Sequence, residues 1–261
     1  MTDQLKLTFF GTAAGFPTKT RPNTTAIGLW RGGDLYLFDA GEGAASQFAR
    51  MEIPPDALRA IFITHLHADH VGGLAALLQW LQLNNRRASL ALYVPSQSLS
   101  GLRDYLHLVY LYPMPEFEFE LRPAESGGVL REGDLEVKAI RSRHQEPSEQ
   151  NRRDHGVRSE SQALSYRVVA DGKSLYLSGD LDSPEEAAAE AQGADLAVVE
   201  LAHFTPEELG EALSAAGLPR LVVTHLIHTL EPVETGLADR IRAAGYDGDL
   251  TIGTDGLEIE V

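Results

Sequence analysis

The sequence contains no cysteine among its 261 residues. This absence excludes disulfide bonds and thiolate ligands, so any metal ion must be held by nitrogen and oxygen atoms. No apolar run approaches the length of a membrane span. Residues 1–10 lack the basic segment, long apolar stretch and cleavage site of a signal peptide. We therefore expect a protein that does not enter the membrane, with the cytoplasm as its default location.

Positive charge is also scarce in this chain. Lysine and arginine total 22 against 38 aspartates and glutamates, so the formal net charge is −16. Because non-specific binding of nucleic acids depends mainly on cationic contacts with phosphate, this balance argues against an extended nucleic-acid surface. A small anionic substrate held by a local group of arginines remains compatible with it.

Short β-rich runs alternate with helical patterns along the chain, without a repeat, a low-complexity segment or an evident linker. Hairpin turns are predicted at residues 31–34 and at Asp171-Gly172. This mixture of hairpins and strand–helix units predicts two mixed sheets flanked by helices, in a single domain of residues 1–261. Residues 145–162 are polar and show no periodicity, which predicts a long mobile loop.

The segment THLHADHVGG, residues 64–73, places ligand-type side chains directly after the apolar run 61–63. Those side chains are His65, His67, Asp69 and His70. Imidazole and carboxylate groups are good ligands for zinc and similar divalent ions. A lone histidine is usually a satisfied polar residue, but burying all these groups unpaired would cost several kcal/mol. A metal ion is the simplest compensation, so we interpret this segment as a metal-binding loop.

Three further apolar runs end in residues of the same type. LEVKAIRSRH ends in His144, SLYLSGD in Asp180 and RLVVTH in His225. Taken singly, each residue is equally compatible with an ordinary turn. Sites in layered α/β folds gather where strand ends and loops converge. Taken together with the loop 64–73, these residues therefore supply enough ligands for two metal ions.

The order H-x-H-x-D-H, then a lone histidine, an aspartate in S-G-D and a final T-H resembles the metallo-β-lactamase superfamily. The resemblance implies an αββα sandwich with a dinuclear site at one edge of the sheets. It also implies a ligand set, which is His65, His67 and His144 for one ion, Asp69, His70 and His225 for the other, and Asp180 as the bridge. Zinc is the expected metal, although manganese or iron accepts the same donor atoms.

A turn in the sequence FDAGEG resembles the structural turn that lies beneath the metal-binding loop in this superfamily. It contains Asp39, Gly41 and Glu42. We expect these three residues to support the ligands, either through hydrogen bonds or through the backbone, rather than to bind metal themselves.

Three stretches narrow the resemblance to ribonuclease Z and its relatives; they are LTFFGTAAGFPTKTRPNTTAIGL, LYLFDAGEGAASQF and AIFITHLHADHVGGLAALL. By this resemblance Glu200 orients His203, and His203 donates a proton; a homodimer is also implied. The alternatives are that His203 merely neighbours a helix start and that Glu200 is an ordinary strand-end acid. The Gly/Pro-rich arm with which that family grips transfer RNA is missing, because SYRVVADGKSLYLSGD passes between two strands through a tight turn.

Residues 141–158 are locally basic, since they contain five arginines and only three acidic residues. The arginines are Arg141, Arg143, Arg152, Arg153 and Arg158. Guanidinium groups suit phosphate and carboxylate oxygens. As substrate-binding residues we predict Arg143, Arg152 and Arg153, together with Lys19 and Arg21 of a loop that resembles a substrate-facing loop of ribonuclease Z relatives. Taken singly, each arginine is better explained as part of a solvated loop, but as a group they favour an anionic substrate.

The leading hypothesis is a dinuclear metal-dependent phosphodiesterase acting on a small anionic or nucleotide-like substrate. A metal-bridging hydroxide would attack phosphorus, Asp69 would accept a proton while it remains a ligand, and His203 would protonate the leaving alkoxide. The first alternative is a carbon-ester hydrolase of the lactonase or thioesterase type. A ribonuclease Z proper and a non-enzymatic metal-binding module are less favoured, the latter because every ligand position of the pattern is filled.

Overall fold

The computed structural model describes residues 5–156, 162–227 and 234–261. The chain divides into two compact units. The first unit contains Met1–Glu125 and Asp255–Val261, and the second contains Ser126–Thr254. Within the described residues, each unit is built on one seven-stranded sheet. The expectation of two mixed sheets is therefore confirmed, whereas the single domain stays a prediction.

The strands follow the apolar runs of the sequence closely. In chain order they are β1 (Leu5–Gly11), β2 (Ala26–Arg31), β3 (Asp34–Phe38), β4 (Leu58–Phe62), β5 (Leu90–Pro95), β6 (Phe119–Ala124), β7 (Val129–Glu132), β8 (Leu135–Ser142), β9 (Ala163–Ala170), β10 (Lys173–Leu177), β11 (Leu196–Leu201), β12 (Arg220–Leu226), β13 (Asp249–Ile252) and β14 (Glu258–Glu260).

The helices lie between these strands along the chain. They are α1 (Ala44–Arg50), α2 (Ala68–Val71), α3 (Leu74–Leu83), α4 (Leu99–Leu108), α5 (Glu146–Asp154), α6 (Pro184–Glu190), α7 (Pro206–Leu213) and α8 (Glu234–Ala243). No helix in the described part of the chain is long and apolar enough to cross a membrane.

The first sheet has the strand order β14-β1-β2-β3-β4-β5-β6. Its pairs are antiparallel from β14 to β3 and parallel from β3 to β6. Because β3 and β4 are parallel neighbours, the residues that follow them emerge at the same edge of the sheet. This arrangement brings Asp39, which follows β3, beside the loop 64–73, which follows β4.

Helix α3 shows why the first unit packs as it does. Its leucines at positions 74, 77, 78 and 81 recur with helical spacing, and all four are buried. They join a core that also includes Phe10, Phe48 and Ile61. The helix therefore packs against the first sheet through a continuous apolar stripe.

The second sheet has the strand order β13-β12-β11-β10-β9-β8-β7. Strands β10 to β13 are parallel, whereas β7, β8, β9 and β10 are successively antiparallel. Strand β8 therefore runs in the same direction as β10, β11 and β12. The carboxyl ends of these four strands lie at one edge, and they are followed by or contain His144, Asp180, His203 and His225.

The β9–β10 hairpin is the tight connection that the sequence predicts. Ala170 pairs with Lys173, so only Asp171 and Gly172 form the turn. Both turn residues have positive φ angles, 51° and 76°. This conformation is that of a type I′ turn, which suits the right-handed twist of the paired strands. The strands connect without any inserted segment.

Residues 145–162 differ from the sequence prediction. Glu146–Asp154 form helix α5, so the segment is not irregular throughout. The helix is polar, without an apolar stripe, which is why hydrophobic periodicity does not reveal it. Its mobility stays a prediction. Residues 157–161, which include Arg158, lie outside the described residues.

Candidate functional site

The loop after β4 gathers the predicted ligands of the first unit. His65, Asp69 and His70 are buried, and His67 is half-buried. The Nε2 atom of His65 lies 3.0 Å from Nδ1 of His67, and the ring centroids of His65 and His70 are 4.1 Å apart. Asp69 joins them, with Oδ2 at 3.7 Å from Nε2 of His70. Helix α2, which begins at Ala68, returns Asp69 and His70 to the position of His65.

Asp39 fixes the orientation of one of these histidines. Its carboxylate is 2% exposed and accepts hydrogen bonds from the backbone N–H of Thr64, at 2.8 Å, and from the Thr64 hydroxyl, at 2.9 Å. The Nδ1 atom of His70 lies 2.7 Å from Asp39 Oδ2. Because a carboxylate only accepts, His70 donates from Nδ1, and Nε2 is therefore its candidate ligand atom. Asp39 thus has the supporting position that the sequence predicts.

The turn that follows Asp39 lies directly against the loop 64–73. The Ala40 N–H donates to the His70 carbonyl oxygen at 2.7 Å. A Cβ atom at Gly41 would clash with the carbonyl oxygen of Asp69, so this close approach requires glycine. The carbonyl oxygen of Glu42 accepts from the Thr24 N–H at 3.0 Å, and the Glu42 side chain is exposed. The turn therefore supports the loop 64–73 mainly through its backbone.

Asp180 occupies the centre of the corresponding group in the second unit. One of its carboxylate oxygens lies 3.2 Å from Nε2 of His225, and the other lies 3.5 Å from Nε2 of His144. Asp180 and His225 are almost fully buried. The Ser142 hydroxyl donates to the Asp180 carbonyl oxygen at 2.7 Å and fixes the backbone there. Each oxygen of Asp180 therefore faces a different histidine.

Glu200 and His203 form a second carboxylate–imidazole pair in this unit. Glu200 Oε1 lies 2.7 Å from His203 Nδ1, and Glu200 is 1% exposed. The His203 side chain is 35% exposed, and its ring centroid lies 4.5 Å from that of His144 and 6.3 Å from that of His225. His203 thus lies among the predicted ligands while solvent still reaches it.

The chemistry of these residues fits a divalent metal ion. Histidine ligands in metalloproteins usually donate their second ring N–H to a carboxylate or a carbonyl, as His70 does to Asp39. The ligand atoms of His65 and His67 lie within 4.8 Å of each other, and so do those of His144 and Asp180. The ligand atoms of Asp180, Glu200 and His203 also lie within 4.8 Å of one another. These histidines and aspartates could therefore bind metal ions.

The predicted substrate-binding residues of the β1–β2 loop have different environments. Lys19 is exposed. Arg21 is only 2% exposed, and its Nη1 atom donates to the Thr12 hydroxyl at 2.6 Å. A side chain this deeply buried cannot meet a dissolved substrate in this conformation. The assignment of Arg21 to substrate binding is therefore replaced by a structural role within the loop.

The arginines near His144 are partly engaged by acidic side chains. Arg143 Nε lies 3.1 Å from Glu186 Oε1, and its Nη2 lies 3.9 Å from Asp182 Oδ2. The hydrogen bond to Glu186 raises the pKa of Arg143. Arg152 and Arg153 lie in the last turn of α5, half-buried and exposed respectively. The structure leaves the substrate contacts of these three arginines as predictions.

The sequence did not reveal two hydroxyl groups that support the predicted ligands. Thr64 bonds both to Asp39 and, at 3.0 Å, to Nδ1 of His65. Ser142 bonds to the Asp180 backbone and accepts from the His144 N–H at 3.2 Å. Each is a short polar residue one or two positions before a predicted ligand, and that spacing is the only signal the sequence offers.

Comparison with known proteins identifies the family. The Beta-lactamase superfamily domain matches residues 35–226. A ribonuclease Z of Pseudomonas putida is 31% identical over 307 aligned positions, covering 96% of this chain and 95% of that protein. A ribonuclease Z of Natronomonas pharaonis is 40% identical over 141 residues, covering 54% of this chain and 44% of that protein. In this second match the chain spans less than half of its relative.

A solved structure supports the same fold. The metallo-β-lactamase fold protein YhfI from Bacillus subtilis has a TM-score of 0.78, at 19% identity, over 99% of this chain and all of that one. The chain belongs to the metallo-β-lactamase superfamily. It is a hydrolase of that family with ribonuclease Z homologues, which confirms the resemblance and the fold class that the sequence predicts.

Proposed function

We propose that this hydrolase uses two divalent metal ions to cleave phosphodiesters, and that its substrate is a small, nucleotide-like anion. The sequence pattern of the superfamily assigns seven ligands to a common dinuclear site. They are His65, His67, Asp69, His70, His144, Asp180 and His225. Zinc is the proposed metal, since histidine nitrogen and carboxylate oxygen suit it.

The observation that carries the proposal is the pairing of His203 with Glu200. The buried carboxylate accepts from Nδ1 at 2.7 Å, so the ring presents Nε2 at a solvent-accessible position beside His144. The carboxylate fixes the tautomer and orientation of the ring. Such a histidine is suited to donate a proton to the leaving alkoxide of a phosphodiester.

The remaining roles fall to the ligand groups. When bound, divalent ions lower the pKa of water and neutralise charge on a phosphate group. Asp69 accepts the proton of the attacking nucleophile, while the Gly15 amide holds its Oδ2 atom at 2.7 Å. Lys19 and the arginines of α5 attract the anionic substrate. Glu200 keeps His203 in the tautomer and orientation that proton donation needs.

Several observations favour a small substrate over transfer RNA. The β9–β10 hairpin closes through only two turn residues. The resemblance to ribonuclease Z predicts the Gly/Pro-rich arm that grips transfer RNA at this place. The alignment with the Pseudomonas putida ribonuclease Z has 307 positions, more than the 261 residues of this chain, so that relative carries segments this chain lacks. The net charge of −16 disfavours a long polyanion.

Hydrolysis of bis-(p-nitrophenyl) phosphate by zinc-loaded protein tests the proposal, with a lactone and a thioester in parallel. We expect turnover of the phosphodiester, and its loss in Asp180→Ala, because that change removes the carboxylate that faces two histidines. Glu211→Ala is the control, since Glu211 is an exposed acidic residue of α7. Turnover of the carbon esters alone would replace the proposal with a carbon-ester hydrolase. Absence of all turnover would contradict it.

A further inference from the structure

The β1–β2 loop, residues 12–25, reaches one of the predicted metal ligands. The Gly15 N–H donates to Asp69 Oδ2 at 2.7 Å. Gly15 has a φ angle of 73°, which residues with a side chain rarely adopt. A Cβ atom at this position would meet no other atom within 4 Å. The requirement at this position is therefore conformational: the chain turns here so that a backbone N–H points at a carboxylate 54 residues further along.

The base of this loop is closed by a residue from the other end of the chain. Asp255 accepts a hydrogen bond from the Thr12 hydroxyl on Oδ1, at 2.6 Å. On Oδ2 it accepts from the Asn23 N–H at 3.0 Å and from the Asn23 side-chain amide at 2.8 Å. One carboxylate therefore bonds to a residue near each end of the loop, in addition to the Asn23 carbonyl oxygen, which accepts from the Thr12 and Ala13 N–H groups at 3.1 Å.

The groups that Asp255 joins are themselves buried and fixed. Thr12 is fully buried, Asn23 is 6% exposed, and Arg21 donates to the Thr12 hydroxyl. Asp255 is placed by its neighbour Gly256, whose N–H donates to the Phe9 carbonyl oxygen in β1 at 2.7 Å. The carboxylate thus connects β1 to the loop, and without it the Thr12 hydroxyl, the Asn23 N–H and the Asn23 side-chain amide lose this acceptor.

We propose that Asp255 is a positioning residue for the metal site: by closing the β1–β2 loop it holds the Gly15 amide on Asp69. Asp69 can then offer its other oxygen, Oδ1, in one fixed orientation. The consequence for metal binding rests on the proposed function, whereas the closure of the loop does not. Groups that orient metal ligands typically change metal affinity by about 10–100-fold when they are removed.

The test compares Asp255→Ala with Glu258→Gln in the full-length protein. Glu258 lies on the same terminal segment, where it pairs with Lys6 at 2.7 Å and accepts from the Thr8 hydroxyl at 3.2 Å. The first readout is amide hydrogen exchange in metal-free protein, followed by NMR. We expect the Gly15 amide to exchange about tenfold faster in Asp255→Ala, and the Phe9 amide in β1 to remain protected. Glu258→Gln should leave both amides unchanged.

The second readout is the affinity for zinc, measured in competition with a chelator. We expect the weaker-bound zinc ion to lose about 10–100-fold in affinity in Asp255→Ala and nothing in Glu258→Gln. Asp255→Asn keeps one acceptor oxygen for Asn23, so it should show intermediate values on both readouts. It also replaces Asp255→Ala if that variant does not fold.

The outcomes separate this inference from the proposed function. Unchanged exchange at Gly15 in the Asp255 variants would overturn the positioning role. Faster exchange with unchanged zinc affinity would confine Asp255 to loop closure and would also overturn the role proposed here. If wild-type protein binds no zinc, the proposed function fails, and exchange at Gly15 still decides whether Asp255 holds the loop.

Discussion

Glu200 Oε1 lies 2.7 Å from His203 Nδ1, and the same carboxylate accepts backbone hydrogen bonds from Leu181 and Ala202. Leu181 directly follows Asp180, so Glu200 contacts both the proposed proton donor and the backbone of the proposed bridging ligand. One buried carboxylate therefore links two strand ends of the second sheet, those of β10 and β11. The first two predictions depend on this link.

Replacement of His203 by alanine should affect substrates according to their leaving groups. A dinucleoside monophosphate leaves an alkoxide, which needs a proton, so we expect its turnover to fall by about 10²–10⁴-fold. A nitrophenyl ester leaves a stabilised phenolate and should lose much less. Steady-state rates for both substrates check this, with zinc content as the control for an intact site. Equal losses on the two substrates would show that His203 does not donate the proton.

Replacement of Glu200 by glutamine should destabilise the fold. The carboxylate accepts from the N–H groups of Leu181, Ala202 and His203, and a glutamine amide turns one acceptor into a donor. An unsatisfied buried donor costs about 1–3 kcal/mol, which urea unfolding of the metal-free variant measures. Glu211→Gln, at an exposed position of α7, is the control. A variant as stable as wild type would contradict this account of Glu200.

Replacement of Asp39 by asparagine should weaken metal binding without disturbing the backbone. Asp39 has a φ angle of 61°, a conformation that asparagine also tolerates. The change removes the negative partner of His70 Nδ1, so we expect zinc affinity to fall by about 10–100-fold. Asp34→Asn, at the other end of β3 and paired with Arg59 on the surface, should bind zinc normally. Normal zinc affinity in the Asp39 variant would refute the orienting role.

We expect Arg21 and Lys19, the two basic residues of the β1–β2 loop, to affect different properties, namely stability and KM. Because Arg21 is buried and bonded to Thr12, we expect Arg21→Met to lower the free energy of unfolding by about 1–3 kcal/mol, with little change in KM. Exposed Lys19 should behave oppositely: Lys19→Ala raises KM for an anionic substrate and leaves stability unchanged. A raised KM in a fully stable Arg21 variant would restore Arg21 to the substrate-binding residues.

Much of this architecture could be predicted because local patterns determine it. The leucines of α3 recur with helical spacing, and Asp171-Gly172 has the residues that a type I′ turn favours. The ligand-type residues after β4, β8, β10 and within β12 were recognisable because a polar cluster after an apolar strand is costly without a partner. These signals all lie within a few residues of the feature that they indicate.

The unpredicted features depend on polarity without periodicity or on distant contacts. Helix α5 has no apolar stripe, and helix α1 lies in a stretch that offers no predicted element. The bond from Asn23 to Asp255 joins residues 232 positions apart, so no sequence window contains both. The burial of Arg21 follows from the same contacts around Thr12. The sequence of a loop with one lysine and one arginine cannot by itself distinguish a substrate-binding arginine from one that holds the loop together.

The most direct test of the central claim is the number of zinc ions that metal-free protein takes up, measured by mass spectrometry of the metal after equilibration and removal of free zinc. The account predicts two ions per chain, since the histidines and aspartates of the two units supply ligands for two. A chain that retains no zinc after reloading would contradict the interpretation of residues 64–73, and with it the proposed hydrolytic chemistry.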